Sequence, residues 1–143
     1  MMIPKFRAWH KEKKQMFDVA ALFFSRDGRM NVGNFVAGCF VEHYKSDDVK
    51  LMQSTGLKDK NGKEIFTGDI VKVQTTSIID GSKLDFLAYV YFNEEYLAFL
   101  IKNLNPIGDF ASAKLQEYLK QNREIIGNIH ENPEIMAEVK NDA

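Results

Sequence analysis

The sequence predicts an α+β, mostly β protein: a β-rich N-terminal extension, then an SH3-like small β-barrel, with one or two short helices near the C-terminus. Three observations predict this class. Two turn motifs flank a short strand in residues 53–73, aromatic residues alternate in 84–101, and 45% of the 143 residues are hydrophobic. A chain of this length buries one core, so we predict an extension over 1–54, a barrel subdomain with a short helix over 55–136 and a tail over 137–143.

The N-terminal extension is predicted as strands separated by polar turns. Residues 3–9 alternate between apolar and polar types, which indicates a strand, and His10–Lys14 forms a charged turn. An apolar run over 16–24 ends at a type I turn, Ser25–Gly28, and residues 30–32 are predicted to return as its hairpin partner.

The stretch over 33–41 is ambiguous between strand and helix. Its two glycines and its β-branched residues favour a strand. Residues 49–53 are predicted as another short strand, which leads into the central turns.

Two turns are predicted on either side of a short strand. Asn61-Gly62 is a strong hairpin signal, because both residues tolerate the positive φ of a two-residue type I′ turn. In Thr67-Gly68-Asp69, Gly68 takes a left-handed conformation at no steric cost, and Asp69 accepts hydrogen bonds from backbone N–H groups. The β-branched run from Ile70 to Val73 is predicted as a buried strand.

The second half of the chain continues this pattern. Residues 75–83 are predicted as a hairpin tip around Asp80-Gly81-Ser82. Residues 84–92 and 96–101 are predicted as strands joined at 93–95, with aromatic side chains that suit cross-strand pairing on a half-buried sheet.

The C-terminal part switches to helical spacing. Residues 111–123 are predicted as a helix, because Leu115, Tyr118 and Leu119 recur at i, i+3 and i+4, with Asp109 or Ser112 as its cap. A closing strand is predicted over 123–129. A final helix begins at Asn132-Pro133, with Asn132 as N-cap and Pro133 at the first helical position.

Three blocks of the sequence stand out by their order and spacing. They are Ile3-Pro-Lys-Phe-Arg-Ala-Trp9 with Met16, residues 55–71, and Ile126-Gly-Asn-Ile-His-Glu-Asn-Pro-Glu134. Together they resemble the YopX-like family of phage and prophage proteins over roughly residues 3–136. His10 and His130 depart from the family pattern. The resemblance implies a small barrel-containing protein encoded on mobile elements, and it implies no particular activity.

Nine residues of these blocks are expected to form a structural signature, in which they make turns and caps. They are Gly56, Asn61, Gly62, Gly68, Asp69, Gly127, Asn128, Asn132 and Pro133.

Composition favours a cytoplasmic protein, and the resemblance implies that the host is a bacterium. A single cysteine, Cys39, excludes an intrachain disulfide and fits a reducing compartment. No apolar run approaches the roughly 20 residues of a transmembrane helix, and the cationic N-terminus is unlike a signal peptide. Residues 1–17 carry five Lys or Arg against one Glu, whereas 131–143 carry four acidic residues against one Lys. Such asymmetry suits a charged partner surface, two solvated ends, or ends that attract each other in an oligomer.

Metal-binding patterns fail on spacing. An EF-hand assignment around Gly62 places Leu57 and Gly68 at its first and twelfth positions, where carboxylates are required. Zinc needs closely placed ligands, whereas the candidates are scattered: His10, Cys39, His43 and His130. We therefore expect no metal site and no cofactor.

Catalytic patterns are missing as well. The sequence has no Gly-x-Ser-x-Gly elbow and no glycine-rich phosphate loop that ends in Lys-Ser or Lys-Thr. The carboxylate pairs Asp47-Asp48 and Glu94-Glu95 fall in predicted turns, where solvated charges are the simpler interpretation. We expect that the protein is not an enzyme.

An N-terminal cluster interleaves cations with an aromatic ring, as single-strand-binding proteins do. Its members are the candidate binding residues Lys5, Arg7, Trp9, Lys11, Lys13 and Lys14. Against nucleic-acid binding, the isoelectric point near 6.3 lacks the basic footprint of such domains, which is typically above about 9.

The resemblance implies a phage or prophage accessory protein, and the missing catalytic patterns favour a protein-binding or assembly module with a host or phage protein as partner. We also expect a homo-oligomer, because the aromatic residues between Phe86 and Phe99 exceed what one face of a small barrel hides. The alternative is a small-barrel protein that binds single-stranded nucleic acid.

Overall fold

The computed structural model describes residues 4–36, 40–77, 79–104, 112–118 and 120–136. These residues form twelve strands, three 3₁₀ turns and a one-turn helix at 133–136, which confirms the mostly β class. The chain divides into two compact units, Met1–Ser54 (unit 1) and Thr55–Ala143 (unit 2). The SH3-like barrel stays a prediction, and the tail predicted over 137–143 lies outside the described residues.

Unit 1 contains five strands and the first part of a sixth. Their bounds are β1 (Phe6–His10), β2 (Gln15–Asp18), β3 (Ala21–Phe24), β4 (Met30–Val36), β5 (Phe40–Lys45) and β6 (Val49–Lys58). Strand β1 pairs antiparallel with β2 on one side and with β6 on the other. Strands β3, β4 and β5 form a separate antiparallel sheet in that order, and β5 leads into β6 through a 3₁₀ turn, Ser46–Asp48.

The apolar run over 16–24 is split between two sheets. The Val19 N–H donates to the Phe6 carbonyl, and the next N–H, of Ala20, donates to the Gly33 carbonyl. The chain therefore leaves the β1 sheet for the β4 sheet at this point. A small core closes unit 1, and its buried members are Ala8, Val32 and Val49.

Unit 2 begins with the second part of β6, which is hydrogen-bonded to β7 (Glu64–Phe66). The other strands are β8 (Asp69–Thr76), β9 (Lys83–Asn93), β10 (Ala98–Asn103), β11 (Ser112–Lys114) and β12 (Arg123–Asn128). They form an antiparallel sheet in the order β11-β10-β9-β8-β12. Alternate residues of this sheet supply most of one core, whose buried members there are Val71, Val73, Ala88, Val90 and Ile101. Ile65 of β7 and Leu115 of a 3₁₀ turn complete it.

Aromatic residues of β9 and β10 lie on both faces of this sheet. Phe92 is paired with Phe99, and their ring centroids are 5.3 Å apart, as cross-strand pairing predicts. Tyr89 and Tyr91 point to the opposite face, because residues at odd separation along a strand alternate. Tyr96 was predicted to begin a strand, but it lies in the loop before β10.

The type I′ turn predicted at Asn61-Gly62 is wrong. Gly62 has a φ of 82°, but Asn61 is not among the residues with positive φ. The Gly62 N–H donates to the Asp59 carbonyl at 3.0 Å, and the Asp59 N–H donates to the Lys63 carbonyl at 2.8 Å. This pattern fits a three-residue loop, in which a type I turn is followed by a left-handed glycine.

The helix predicted over 111–123 is also wrong in the part that the structure describes. Strand β11 pairs with β10, and 3₁₀ turns follow at Leu115–Glu117 and Lys120–Asn122. The i, i+3 spacing of Leu115 and Tyr118 fits either structure, because the 3₁₀ turn repeats every three residues. Burial of Leu115 in the core and edge pairing with β10 override the helical pattern.

Two C-terminal elements agree with prediction. The closing strand over 123–129 is observed as β12, and a helical turn begins at Pro133, directly after Asn132. The proposed caps of the other helix do not cap one: Ser112 begins β11, and Asp109 lies outside the described residues.

Two alanine substitutions test the loop at Asn61-Gly62. Gly62→Ala should lower the free energy of unfolding by about 1–2 kcal/mol, because an alanine disfavours the left-handed conformation. Asn61→Ala should change it by less than about 0.5 kcal/mol, because that side chain is exposed and its φ is negative. Denaturant titrations measure both. If both substitutions lowered the free energy of unfolding equally, the result would support a type I′ turn instead.

Candidate functional site

The carboxylate of Asp59 is fully buried and bonded on both oxygens. Its Oδ1 accepts from the Asn61 and Lys63 N–H groups, each at 2.9 Å. Its Oδ2 accepts from the Ile125 N–H at 3.0 Å. These bonds join the β6–β7 hairpin to β12, which lies near the C-terminal end of unit 2 in the sequence. Asp59 is therefore part of the framework, a role that the failed calcium pattern did not reveal.

The surroundings of Asp59 stabilise its charge. Burial raises the pKa of this carboxyl group, but the hydrogen bonds from Ile125, Lys63 and Asn61 outweigh burial and hold the pKa below its usual value. Arg123, which is 6% exposed, donates from Nε to the Lys58 carbonyl at 2.8 Å. Burial lowers the pKa of Arg123, and the nearby charge of Asp59 raises it.

The second signature turn is built on the same principle. Gly68 has a φ of 89°, its N–H donates to the Val90 carbonyl at 2.7 Å, and its carbonyl accepts from the Ile129 N–H at 2.9 Å. The buried Asp69 accepts from the Phe66 N–H at 2.8 Å. Gly56, which has a φ of 76°, lies in β6. These residues fix the backbone and present no open reactive group.

In the third block, asparagine side chains accept hydrogen bonds from nearby backbone N–H groups. Asn128 Oδ1 accepts from the His130 and Glu131 N–H groups at 3.0 and 2.8 Å. Asn132 Oδ1 accepts from the Asn128 N–H at 3.2 Å. A Cβ atom on Gly127 would lie 2.5 Å from that Asn132 oxygen, so this position requires glycine because of close approach rather than because of φ.

The N-terminal basic cluster does not form an open row of cations. Lys13 Nζ lies 3.2 Å from both Glu42 Oε1 and the Tyr44 hydroxyl, and these groups raise the pKa of Lys13, Tyr44 more than Glu42. Lys11 Nζ donates to the Asp47 carbonyl at 2.7 Å. The other members lie as follows: Lys5 precedes β1, Arg7 and Trp9 are half-buried in β1, and Lys14 ends the loop.

An open groove of about 730 Å³ lies at the β3–β4 hairpin of unit 1. Two of its aromatic side chains are exposed, Phe23 by 41% and Phe24 by 75%. Its charged side chains are balanced in sign: Asp27, Arg29, Lys45 and Asp47. The Ser25 hydroxyl and the Arg29 N–H donate hydrogen bonds to the carboxylate of Asp27, and these bonds lower its pKa.

A stacked pair extends this aromatic surface. The rings of Phe23 and His43 have centroids 4.4 Å apart and planes 15° apart. Gly33 of the middle strand is paired with His43 and is buried, so the two rings flank a position that has no side chain. Phe35, which is 62% exposed, lies on the same face of the sheet. This contact depends on strand register, so the sequence pattern indicated His43 only as a candidate zinc ligand.

The scattered histidines have separate surroundings. His10 is buried, and its Nδ1 accepts from the Lys13 N–H at 3.1 Å. Cys39 lies outside the described residues. Within the described ranges, no group of three or more His, Cys, Asp or Glu could hold a metal ion. None of the helices in the same ranges is long and apolar enough to span a membrane.

Comparisons with known proteins agree with the three-block pattern. The model of the YopX protein family matches residues 5–137. The crystal structure of EF1440 from Enterococcus faecalis is 26% identical, with a TM-score of 0.62, and the match covers 95% of this chain and 99% of that one. YopX from Bacillus subtilis is 22% identical, with a TM-score of 0.61 and coverage of 91% and 95%. No match was found among curated proteins.

Asp59→Asn tests the buried carboxylate. The amide nitrogen cannot accept a hydrogen bond, so the variant should lose about 1–3 kcal/mol of stability at neutral pH. Because the pKa of Asp59 is lowered on folding, its contribution is present above the unfolded value of about 3.9 and is lost as pH falls through the folded value. The difference in unfolding free energy between the variant and the wild type should therefore become smaller in acid.

Denaturant titrations over a range of pH measure this gap, with the exposed Asp18→Asn as the matched control. A variant as stable as the wild type at neutral pH would contradict the structural role. So would a gap that widens on acidification.

Proposed function

This chain belongs to the YopX family, and on that premise we propose that it is a phage or prophage accessory protein that acts as a protein-binding module rather than as an enzyme. The carboxylates of Asp59 and Asp69 support this proposal, because both are buried and accept backbone hydrogen bonds. The exposed features are aromatic rings, which suit recognition rather than proton or group transfer.

The observation that carries the proposal is the aromatic groove of unit 1. Phe23 and Phe24 are consecutive in β3, so their rings point to opposite faces of the sheet. Among the strands that the structure describes, β3 is also an edge of its sheet, so one side of its backbone is left for pairing. A strand added beside β3 would contact one ring on each face.

The occupant that fits is an extended segment of a host or phage protein with apolar side chains at alternate positions. Main-chain hydrogen bonds along β3 would give affinity, and the rings of Phe23 and Phe24 would select the side chains. The balanced charges of the groove favour a segment of low net charge.

Two further parts belong to this proposal. The strands of unit 2 form an SH3-like barrel, a view supported by their continuous antiparallel order from β11 to β12. The protein works in the cytoplasm of a bacterial host, which the single cysteine supports.

Single-stranded nucleic acid is the second candidate ligand. The register places Phe23, Asn31 and Lys45 in one row across the sheet, beside the stacked ring of His43. A base could stack on such a row. The charge balance of the groove, and the bonds that Lys11 and Lys13 make within unit 1, favour the peptide.

A displayed library of random peptides tests the proposal, with the enriched peptide then labelled for fluorescence anisotropy. Phe24→Ser should weaken its binding about tenfold or more, because a central aromatic anchor is lost, without lowering the melting temperature. The matched control is Ile79→Ser, which removes an apolar side chain of unit 2 that is even more exposed than Phe24.

N-methylation of alternate peptide residues separates edge pairing from simple apolar contact. It should abolish binding when the methyl groups face β3 and have little effect in the other register. Failure to enrich any peptide, or binding that is indifferent to Phe24→Ser, would overturn the proposal. Salt-sensitive binding of an oligonucleotide that depends on Phe23 and Lys45 would favour the second candidate.

A further inference from the structure

Two hairpin loops of this protein are built alike. The basic loop, Lys11–Lys14, joins the paired residues His10 and Gln15, and the acidic loop, Glu94–Leu97, joins the paired residues Asn93 and Ala98. In each case the residue before the loop accepts from the N–H of the third loop residue. The distances are 3.1 Å for His10 Nδ1 and 2.9 Å for Asn93 Oδ1.

The fourth residue of each loop has a left-handed backbone. Lys14 has a φ of 52° and Leu97 a φ of 49°, and within the described part of the chain these are the only non-glycine residues with positive φ. Glycine or asparagine would suit the turn better. Leu97 is also 78% exposed, and its neighbour Tyr96 is 68% exposed. Neither the turn nor the solvent favours a leucine here, so a contact with another molecule accounts for it better.

The two loops differ in charge in a complementary way. The basic loop has three lysines and one glutamate, and Glu42 lies within ion-pair distance of Lys13. Lys11 donates to a backbone carbonyl, which carries no formal charge, so these five side chains together keep a net positive charge. The acidic loop has Glu94 and Glu95 without a cation of its own, and Tyr96 and Leu97 are apolar enough to pack on the aliphatic stems of lysines.

From these observations we propose that the acidic loop of one copy docks on the basic loop of a second copy, and that this contact builds a homo-oligomer. Charge complementarity supplies the attraction, and Tyr96 and Leu97 supply apolar area that is otherwise in water. Because each copy has both loops, the contact repeats from one copy to the next, in a ring or in an open chain. This inference does not depend on the groove of unit 1.

Charge reversal in light scattering tests the contact. At low salt the wild type should exceed the monomer mass of 16.4 kDa, and added salt should shift it toward that mass. Glu94→Lys with Glu95→Lys should give a monomer, and so should Lys11→Glu with Lys14→Glu. All four changes in one chain should restore the assembly, because the complementary signs are exchanged.

A leucine variant tests the apolar part. Leu97→Asn introduces a residue that tolerates positive φ better than leucine does, so the melting temperature should not fall, while the dissociation constant of the oligomer should rise about tenfold or more. Leu84→Asn, at an exposed leucine in β9, is the matched control. A wild type that stays at 16.4 kDa, a fourfold variant that stays monomeric, or an unchanged affinity in Leu97→Asn would overturn the proposal.

Discussion

The buried carboxylate of Asp59 is the interaction on which unit 2 depends. It accepts hydrogen bonds from three backbone N–H groups, one of which belongs to Ile125, 66 residues away in the sequence. Two more hydrogen bonds connect the same segments: the Lys60 N–H donates to the Arg123 carbonyl, and Arg123 Nε donates to the Lys58 carbonyl. The bond to Ile125 closes a loop that contains most of the chain of unit 2. Loss of the carboxylate would leave buried N–H groups unpaired.

This arrangement separates framework from function. Glycines with positive φ, the carboxylate of Asp69 and the amides of Asn128 and Asn132 complete the same backbone network. A network whose polar atoms are directed at the backbone has little left to recognise a ligand. The proposals therefore assign recognition to exposed side chains, which are Phe23 and Phe24 in unit 1 and Tyr96 and Leu97 in unit 2.

Local patterns predicted the elements that local physics decides. The glycine turn at Gly68, the buried β-branched strand after it and the hairpin of β9 and β10 follow from conformational freedom and alternation. The helix over 111–123 failed because spacing alone does not distinguish an α-helix from a 3₁₀ turn, and strand pairing decided between them. Nothing near Asp59 in the sequence indicated a partner at Ile125.

The candidate surfaces were harder to predict, because register and distant residues create them. The Phe23–His43 stack needs three strands in one register. The basic cluster looks continuous in the sequence, but Glu42 and the Asp47 carbonyl, 29 and 36 residues away, bind Lys13 and Lys11.

Titration of the Asp59 carboxyl carbon by NMR tests the central claim most directly. The account predicts a pKa below the ordinary aspartate value of about 3.9, with the Ile125 amide signal shifting along the same curve. A pKa at or above that value, or an Ile125 amide that does not respond, would contradict it.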